Sequence, residues 1–248
     1  MRGVSRLCGC FLDSGASRCL IKGFVQKNKI DLDEYDCEGV KSFNEFFSRK
    51  IKEGRRPITD DPTVLIAPCD GLLSAYQITG DTVIPVKQSR YTVSSLLGGD
   101  PIAERYRDGI CLVFRLCVDH YHRYCYIESG SKGDNVFLPG KLHTVRPIAL
   151  EAVPVFAQNS REYTVIKTER FGQIVQMEVG ALLVGKIKNY HREKQVTRGE
   201  EKGMFLYGGS TVIVLLEEGR ARLSEELLQA SENGLELPVK LGQKIGEK

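Results

Sequence analysis

Leu206-Tyr207-Gly208-Gly209-Ser210-Thr211-Val212-Ile213-Val214-Leu215-Leu216 joins a glycine pair and a hydroxyl pair to an aliphatic run. A short apolar run bounded by turn-forming residues favours a buried strand over a short helix. Gly208 and Gly209 are predicted to form a tight turn that delivers Ser210 to the start of this strand, because glycine adopts positive φ without a Cβ clash. The stretch is therefore either an ordinary turn before a core strand or a site where Ser210 is a nucleophile and the Gly209 carbonyl is its target.

The composition of the 248 residues is that of an ordinary globular chain, with 42% hydrophobic and 27% charged residues. This length suits one large domain or two small ones. The net charge of +3 is small and the basic residues are spread along the chain, which argues against a nucleic-acid partner and leaves attraction to anionic lipid open. No apolar run is long enough to span a membrane, and the start lacks the apolar core of a signal peptide.

The eight cysteines lie mostly inside apolar segments, and no Cys-x-x-Cys pair occurs among them. This pattern predicts free, buried thiols in a reducing cytoplasm instead of disulfides or a zinc site.

The region up to residue 58 is predicted to be helical. Apolar residues at positions 4, 7 and 11 and again at 20, 21, 24 and 25 follow helical spacing, with a break at Asp13-Ser14-Gly15. These two short amphipathic helices with basic polar faces either pack on the protein's own core or contact an anionic membrane surface. Residues 30–35 resemble a further helix start, and Ser42 with Glu45 predicts a capping box at another.

Residues 59–248 are predicted to form a β-rich domain, because short apolar runs alternate there with Gly, Asp and Pro. A helical insertion is expected between residues 93 and 106, a short polar helix or turn at 222–228, and a frayed end at 240–248. The fold class is therefore α+β, with N-terminal helices followed by a compact, mainly antiparallel β-sandwich or barrel-like domain. The predicted strands are 64–67, 72–76, 83–86, 110–116, 124–127, 136–138, 163–166, 174–179, 182–187 and the run after Ser210.

Two histidines, His120 and His122, stand one residue apart next to Asp119. On an extended segment their side chains would share a face, where they could bind a metal with Asp119 or His143, move protons, or make structural hydrogen bonds. Asp70, in Pro68-Cys69-Asp70-Gly71, suits an ordinary turn. One serine, one histidine and one aspartate at strand ends can also form a proton relay, whatever their order in the chain.

Six segments in series resemble the phosphatidylserine decarboxylase family, from about residue 30 almost to the end of the chain. The Gly-Gly-Ser-Thr segment is similar to the processing site of a bacterial group within that family. The segments are residues 43–58, Ala67-Pro68-Cys69-Asp70-Gly71, Tyr121-His122-Arg123, Asn159-Ser160-Arg161-Glu162, residues 179–185 and Gly208-Gly209-Ser210-Thr211.

The resemblance implies a proenzyme that cuts itself between Gly209 and Ser210. In the family the serine hydroxyl attacks the preceding carbonyl, β-elimination follows, and the serine becomes a pyruvoyl group. Here Ser210 would supply that cofactor, and the products would be a β chain of residues 1–209 and an α chain of residues 210–248. The pyruvoyl ketone would form a Schiff base with phosphatidylserine and accept electrons as carbon dioxide leaves, which yields phosphatidylethanolamine.

The resemblance also assigns the relay residues. Asp70 matches the aspartate of the family's Pro-Ala-Asp-Gly motif, whereas the Asp-Tyr-His-Arg-x-His motif is only half kept. His120 occupies the position of the aspartate in that motif, and Cys125 that of the second histidine. His122 is the expected base for Ser210, with His143 as its substitute and Asp70 as the group that orients the imidazole; no metal is expected.

The partner expected from the resemblance is phosphatidylserine in an anionic membrane, with the protein peripheral on the cytoplasmic face of the cytoplasmic membrane and forming a homodimer. Two alternatives stay open. One is a pyruvoyl-dependent decarboxylase of a soluble amino acid. The other is a non-catalytic β-rich binding or carrier module, which would need Lys186 or Lys188 at a hairpin tip.

Overall fold

The aliphatic run after Ser210 forms a strand, β16 (Ser210–Leu216), and all seven of its residues are buried. The computed structural model describes residues 9–80, 82–86, 89–140, 159–180, 187–190, 194–206 and 210–248. β16 lies between β7 (Ile110–Leu116) and β12 (Gln173–Val179) and is antiparallel to both. A strand with neighbours on both edges and cores on both faces is largely apolar, which explains the run of Val, Ile and Leu after Ser210 and Thr211.

The main sheet has the strand order β14-β9-β11-β12-β16-β7-β4-β18, with β10 also paired to β11. Its other strands are β4 (Gly71–Gln77), β9 (Gly130–Lys132), β10 (Val136–Leu138), β11 (Arg161–Lys167), β14 (Gln195–Val196) and β18 (Leu237–Val239).

Four smaller sheets accompany the main one in the described residues. They are β1 (Tyr35–Asp36) with β2 (Lys50–Ile51), β5 (Ile84–Val86) with β6 (Ser89–Tyr91), β13 (Ile187–Asn189) and β8 (Arg123–Cys125) on either side of β15 (Glu201–Phe205), and β17 (Arg222–Leu223) and β3 (Val64–Ile66) on either side of β19 (Lys244–Glu247).

Alternate side chains of β16 enter two separate cores. Val212, Val214 and Leu216 face a core that is closed by residues of β3, β8, β15 and β19. Ile213 and Leu215 face a second core, closed by the β5-β6 hairpin and helical residues between 93 and 106. Because side chains alternate along a strand, Ser210 lies on the same face as Val212, towards the first core.

The helices are α1, described over residues 9–13, α2 (Cys19–Asn28), α3 (Phe43–Phe47), α4 (Val93–Leu96) and α5 (Glu225–Glu232). α2 packs on α3 through aromatic side chains, with the Phe24 and Phe43 ring centroids 5.0 Å apart. The N-terminal helices thus pack on the protein's own core, while Phe11 and Leu20 stay 46% and 43% exposed. None of the helices in the described ranges is long and apolar enough to cross a membrane.

The predicted fold class is confirmed, since helices come first and every paired strand in the described residues is antiparallel. The sheet order does not close into a barrel there, so the architecture is a sandwich. The predicted break after α1 is also confirmed, as a 3-10 turn over Gly15–Arg18. At the next helix Ser42 Oγ accepts from the Glu45 N–H at 3.2 Å, but the Glu45 carboxylate caps Lys41 N–H instead of Ser42 N–H.

Several local expectations were wrong. The end of the chain is not frayed, because β19 pairs with β3 and Ile245 is only 3% exposed. Residues 30–35 form a 3-10 turn, Leu32–Glu34, that runs into β1. The helical insertion expected between residues 93 and 106 is confirmed, as α4 followed by a 3-10 helix, Pro101–Tyr106. The carrier-module alternative loses one of its two candidate lysines, because Lys188 lies within β13, opposite Met204, and so is not at a hairpin tip. Lys186 lies outside the described residues.

Val214→Ala tests the role of β16 in the core. Removing two methyl groups from this fully buried side chain should lower the free energy of unfolding by about 2 kcal/mol, because the cavity cannot collapse completely. Val136→Ala is the matched control, since Val136 is 38% exposed on β10 and should cost less than about 0.5 kcal/mol. Urea unfolding of both variants in a Ser210→Ala chain gives the comparison, and equal costs would contradict this packing.

Candidate active site

Ser210 begins β16 inside the protein and is 1% exposed. Its register partner is Leu116, the last residue of β7. The chain leaves β7 through the segment that carries His122 before it returns as β8. The structure therefore brings His122 to Ser210 across 88 residues of sequence, with 3.2 Å between His122 Nδ1 and Ser210 Oγ.

The other nitrogen of His122 determines which way the proton moves. Nε2 lies 3.0 Å from the backbone carbonyl oxygen of Cys117. A carbonyl oxygen can only accept, so Nε2 carries the hydrogen and donates it there. In the neutral imidazole Nδ1 is then bare, and it accepts from the Ser210 hydroxyl. This tautomer is the one in which His122 can take a proton from Ser210.

A tight turn fixes the Cys117 carbonyl. The same oxygen accepts from the His120 N–H at 3.1 Å, and His120 Nδ1 accepts from the Cys117 N–H at 3.0 Å. His120 therefore closes the turn with both its backbone and its side chain. The Cys117 carbonyl is a site group that sequence reasoning missed, because a backbone acceptor leaves no signal in the pattern of side chains.

The His122 ring is surrounded by apolar side chains and lies near one cation, Arg49. It is fully buried, and Phe47 of α3 stacks on it with 3.9 Å between ring centroids. Burial first, and then the nearby Arg49 guanidinium, lower the pKa of His122 from 6.5 to about 3, because both disfavour the charged imidazolium. The imidazole is accordingly neutral across the physiological pH range.

Asp70 does not orient His122 in this structure. Its Oδ1 accepts from Arg56 Nε at 3.0 Å and from the Leu241 N–H at 2.8 Å, and its Oδ2 accepts from Arg56 Nη2 at 2.7 Å. Arg56 also pairs with Glu34, and this hydrogen bond is the main reason why the pKa of Glu34 falls to about 2. The expected pair of Asp70 and His122 is thus absent: the Cys117 carbonyl binds His122, and Arg56 binds Asp70.

Two further predicted site residues, His143 and Gly209, lie outside the described residues. Cys125, which stands where the family has a second histidine, is buried on β8. Burial raises the pKa of its thiol to about 12, so it cannot exchange protons at neutral pH.

His120 and His122 do not turn towards a common site, because His122 faces Ser210 while His120 closes the turn. Within the described ranges, ligand atoms of Cys117, Asp119 and His120 lie within 4.8 Å of one another. Two of these atoms already have partners, since Arg115 donates to Cys117 Sγ at 3.2 Å and His120 Nδ1 accepts from the backbone. All seven cysteines in the described residues are free thiols, as predicted, but only Cys69, Cys111 and Cys125 are buried, so the expectation of buried thiols was wrong for the other four.

This arrangement suits an intramolecular acyl shift. The Ser210 hydroxyl donates a hydrogen bond to a neutral imidazole in the buried core. Such an imidazole can accept the hydroxyl proton during attack, so the serine becomes a nucleophile without a permanently charged group beside it. Ser210, the residue that would supply a pyruvoyl group, is buried beside His122. The residues of this chain are therefore compatible with formation of that group.

Comparisons with known proteins identify the family of the chain. Residues 43–247 match the family model described as Phosphatidylserine decarboxylase. Phosphatidylserine decarboxylase proenzyme 2 of Clostridium acetobutylicum is 44% identical over 99% of this chain and 84% of its own length. The phosphatidylserine decarboxylase proenzymes of Clostridium tetani and Clostridium beijerinckii are 40% and 38% identical, each over 98% of this chain and 84% of their own lengths. With relatives this similar along nearly its whole length, the chain belongs to the phosphatidylserine decarboxylase family.

Proposed function

We propose that this chain is a phosphatidylserine decarboxylase proenzyme that cuts itself between Gly209 and Ser210 and then converts phosphatidylserine into phosphatidylethanolamine. The observation that carries the proposal is the buried contact of 3.2 Å between His122 Nδ1 and Ser210 Oγ, with Nε2 held by the Cys117 carbonyl. The family of the chain supplies the reaction class, and the geometry supports His122 as the base and Ser210 as its nucleophile.

Self-cleavage follows from the tautomer of His122. Nδ1 takes the hydroxyl proton as Ser210 Oγ attacks the preceding carbonyl carbon. The C–N bond then breaks as this proton passes to the amine nitrogen of residue 210, so that an ester replaces the peptide bond. Removal of the Ser210 α-hydrogen then breaks the Cβ–O bond, which frees the carboxylate of the β chain. Hydrolysis of the remaining dehydroalanine releases ammonia and leaves a pyruvoyl group. The pyruvoyl group, once formed from Ser210, would supply the electron sink for decarboxylation.

Asp70 has a positioning role in this proposal. Leu241 and Lys240 would belong to the α chain after the cut, whereas Asp70, Arg56 and Glu34 would stay in the β chain. Asp70 accepts from the Leu241 N–H and Glu34 pairs with Lys240, so the clamp joins the two chains of one precursor beside the site. A buried carboxylate that accepts three hydrogen bonds fixes backbone positions strongly.

His122→Asn tests the assignment of the base. The amide oxygen of asparagine can accept from Ser210 at about the position of Nδ1, but it cannot take a proton, so cleavage should slow by about 100-fold or more. His191→Ala is the control and should cut at the wild-type rate. The measurement is the intact mass of the purified protein over time, with Ser210→Ala as the uncut reference. Equal rates in the His122 and His191 variants would contradict the assignment.

The pH dependence of cleavage tests the state of His122. Because burial and Arg49 lower its pKa to about 3, the imidazole stays unprotonated from about pH 8 down to about pH 5, and the cleavage rate should change little over that range. An ordinary, solvated histidine would lose its basic form below about pH 6.5 and slow the reaction tenfold per pH unit. A half-maximal rate near pH 6.5 would therefore contradict the buried, neutral base.

The same proposal places the enzyme at an anionic membrane surface, with the N-terminal helices in contact with lipid. Phe11 and Leu20 are exposed apolar residues on α1 and α2, and Arg18 and Lys22 are exposed cations beside them. A groove of about 470 Å³ lies against α2 and extends to Phe46, the neighbour of the Phe47 that stacks on His122. Apolar residues next to cations are typical of helices that lie in the interface of acidic membranes.

Vesicle sedimentation tests the membrane contact. Leu20→Ser should reduce binding to phosphatidylserine-containing vesicles by about tenfold, because one leucine side chain would no longer leave water. Leu235→Ser is the matched control, since Leu235 is also exposed, at 62%, but lies after α5 near the other end of the chain. Failure of the wild-type protein to bind anionic vesicles would contradict the proposal and favour a soluble amino acid as the substrate.

A further inference from the structure

We propose that Arg49, a buried cation between the groove beside α2 and the turn that holds His122, binds the phosphate of the lipid headgroup. The inference rests on the proposed function and names a residue that recognises the substrate. Phosphatidylserine and phosphatidylethanolamine both contain this phosphodiester, so a cation that binds it would hold the lipid before and after carbon dioxide leaves.

Arg49 is buried without an anionic partner. It is 2% exposed and forms no ion pair with the residues that the structure describes. Its guanidinium donates to the backbone carbonyls of Phe46 and Asp119, at 3.4 and 3.2 Å, and lies over the rings of Tyr35 and Phe46, 4.0 and 4.9 Å from their centroids. Its Nε is buried and has no hydrogen-bond partner in the described part of the chain.

These neutral contacts offset the burial of the charge only in part. Aromatic rings attract a cation and carbonyls accept its hydrogen bonds, but a buried ion without a counter-ion and a buried donor without an acceptor both cost free energy. A phosphate that arrives with the substrate removes both costs, because its oxygens accept from the planar guanidinium and its charge balances the cation. The unpaired state of Arg49 therefore suits a site that an anion completes.

On one side, Arg49 adjoins the groove of about 470 Å³ against α2. Phe46 lines this groove and also forms the cation–π contact with Arg49. Cys37 lines the groove as well, and Arg49 is close enough that its charge opposes the rise that burial causes in the pKa of the Cys37 thiol. An apolar groove beside a cation suits a molecule with an acyl chain and an acidic headgroup. The apolar walls come from Ile21, Val25, Leu32, Val40 and Phe46.

On the other side, Arg49 contacts the catalytic residues through the backbone. Asp119, whose carbonyl accepts from Arg49, belongs to the turn that presents the acceptor of His122. Phe47, two residues before Arg49, stacks on the His122 ring, and Nδ1 of that ring is 3.2 Å from Ser210 Oγ. Arg49 thus lies between the groove and the site, as the phosphate of a lipid lies between its acyl chains and its amine.

The chemistry of decarboxylation favours the phosphate over the carboxylate as the group that Arg49 binds. The substrate carboxylate loses its negative charge as carbon dioxide forms, so a cation bound to it would stabilise the substrate more than the transition state and slow the reaction. The phosphate keeps its charge throughout. A cation bound to the phosphate stabilises both states equally, which lowers KM and leaves kcat unchanged.

Arg49→Gln tests the proposal in the full-length, self-cleaved protein, with dihexanoyl phosphatidylserine as the substrate. Glutamine keeps an N–H donor but removes the charge, so KM should rise by about tenfold or more while kcat changes by less than about threefold. Arg55→Gln is the matched control, because Arg55 is an exposed arginine in the same region and its variant should keep the wild-type KM. An unchanged KM in Arg49→Gln, or a fall in kcat alone, would overturn the proposal.

Binding to the uncut protein separates the phosphate from the carboxylate. In a Ser210→Ala chain, calorimetric titration with dihexanoyl phosphatidylserine and dihexanoyl phosphatidylethanolamine measures affinity without turnover. Adding Arg49→Gln should weaken the binding of both lipids by about tenfold or more, because both contain the phosphate. Weaker binding of phosphatidylserine alone would overturn the proposal in favour of the carboxylate. Inorganic phosphate that binds as tightly as either lipid would overturn it in favour of a free phosphate.

Arg49→Lys is the second variant if Arg49→Gln does not fold. Lysine keeps the charge but lacks the planar fork, so this variant should fold and should bind both lipids about threefold or more weakly than the parent chain. Unchanged affinities in Arg49→Lys would then overturn the proposal. A wild-type chain that is never cut or never releases carbon dioxide would instead contradict the proposed function, so the two failures are distinguishable.

Discussion

The hydrogen bond from His122 Nε2 to the Cys117 carbonyl is the contact on which the site depends. It fixes one tautomer of a buried, neutral ring and so leaves Nδ1 bare beside Ser210. A carboxylate in the same place would stabilise the protonated ring strongly; the Cys117 carbonyl also raises the pKa of His122, but burial and Arg49 outweigh it, so the ring stays neutral. The His120 side chain supports this arrangement from a distance, because it closes the turn that presents the carbonyl.

The position of the site explains why a β-sandwich contains so many buried polar groups. Ser210 must start a central strand whose other residues fill the two cores, so its reaction partners have to enter the first core with it. Ser210 and His122 are both nearly inaccessible to solvent. Each buried polar group costs free energy unless it is paired, and Glu178 Oε1 and Thr211 Oγ1 lack partners in the described residues. Water exclusion would strengthen the electrostatic interactions with any charge that develops there.

The N-terminal region is part of the site as well as a candidate membrane contact. Phe47 of α3 covers the His122 ring, Arg49 lowers its pKa, and Arg56 holds Asp70. The two helices before α3, α1 and α2, expose Phe11 and Leu20. The candidate membrane surface and the core that holds His122 are connected through the aromatic residues of α2 and α3, with Phe24 packed on Phe43.

The sequence by itself determined the strands β7, β10 and β16, the helical start, and the serine and histidine that the fold brings together. Alternation of apolar and polar residues, apolar runs and the order of the motifs are local features that can be identified in the sequence alone. It failed at the chain end, where β19 is held by pairing with β3 and not by its own composition. Only the tertiary structure decided that Asp70 binds Arg56, that a backbone carbonyl orients His122, and that Glu178 meets Lys202. These contacts join residues distant in sequence or use backbone atoms, and packing alone selects such partners.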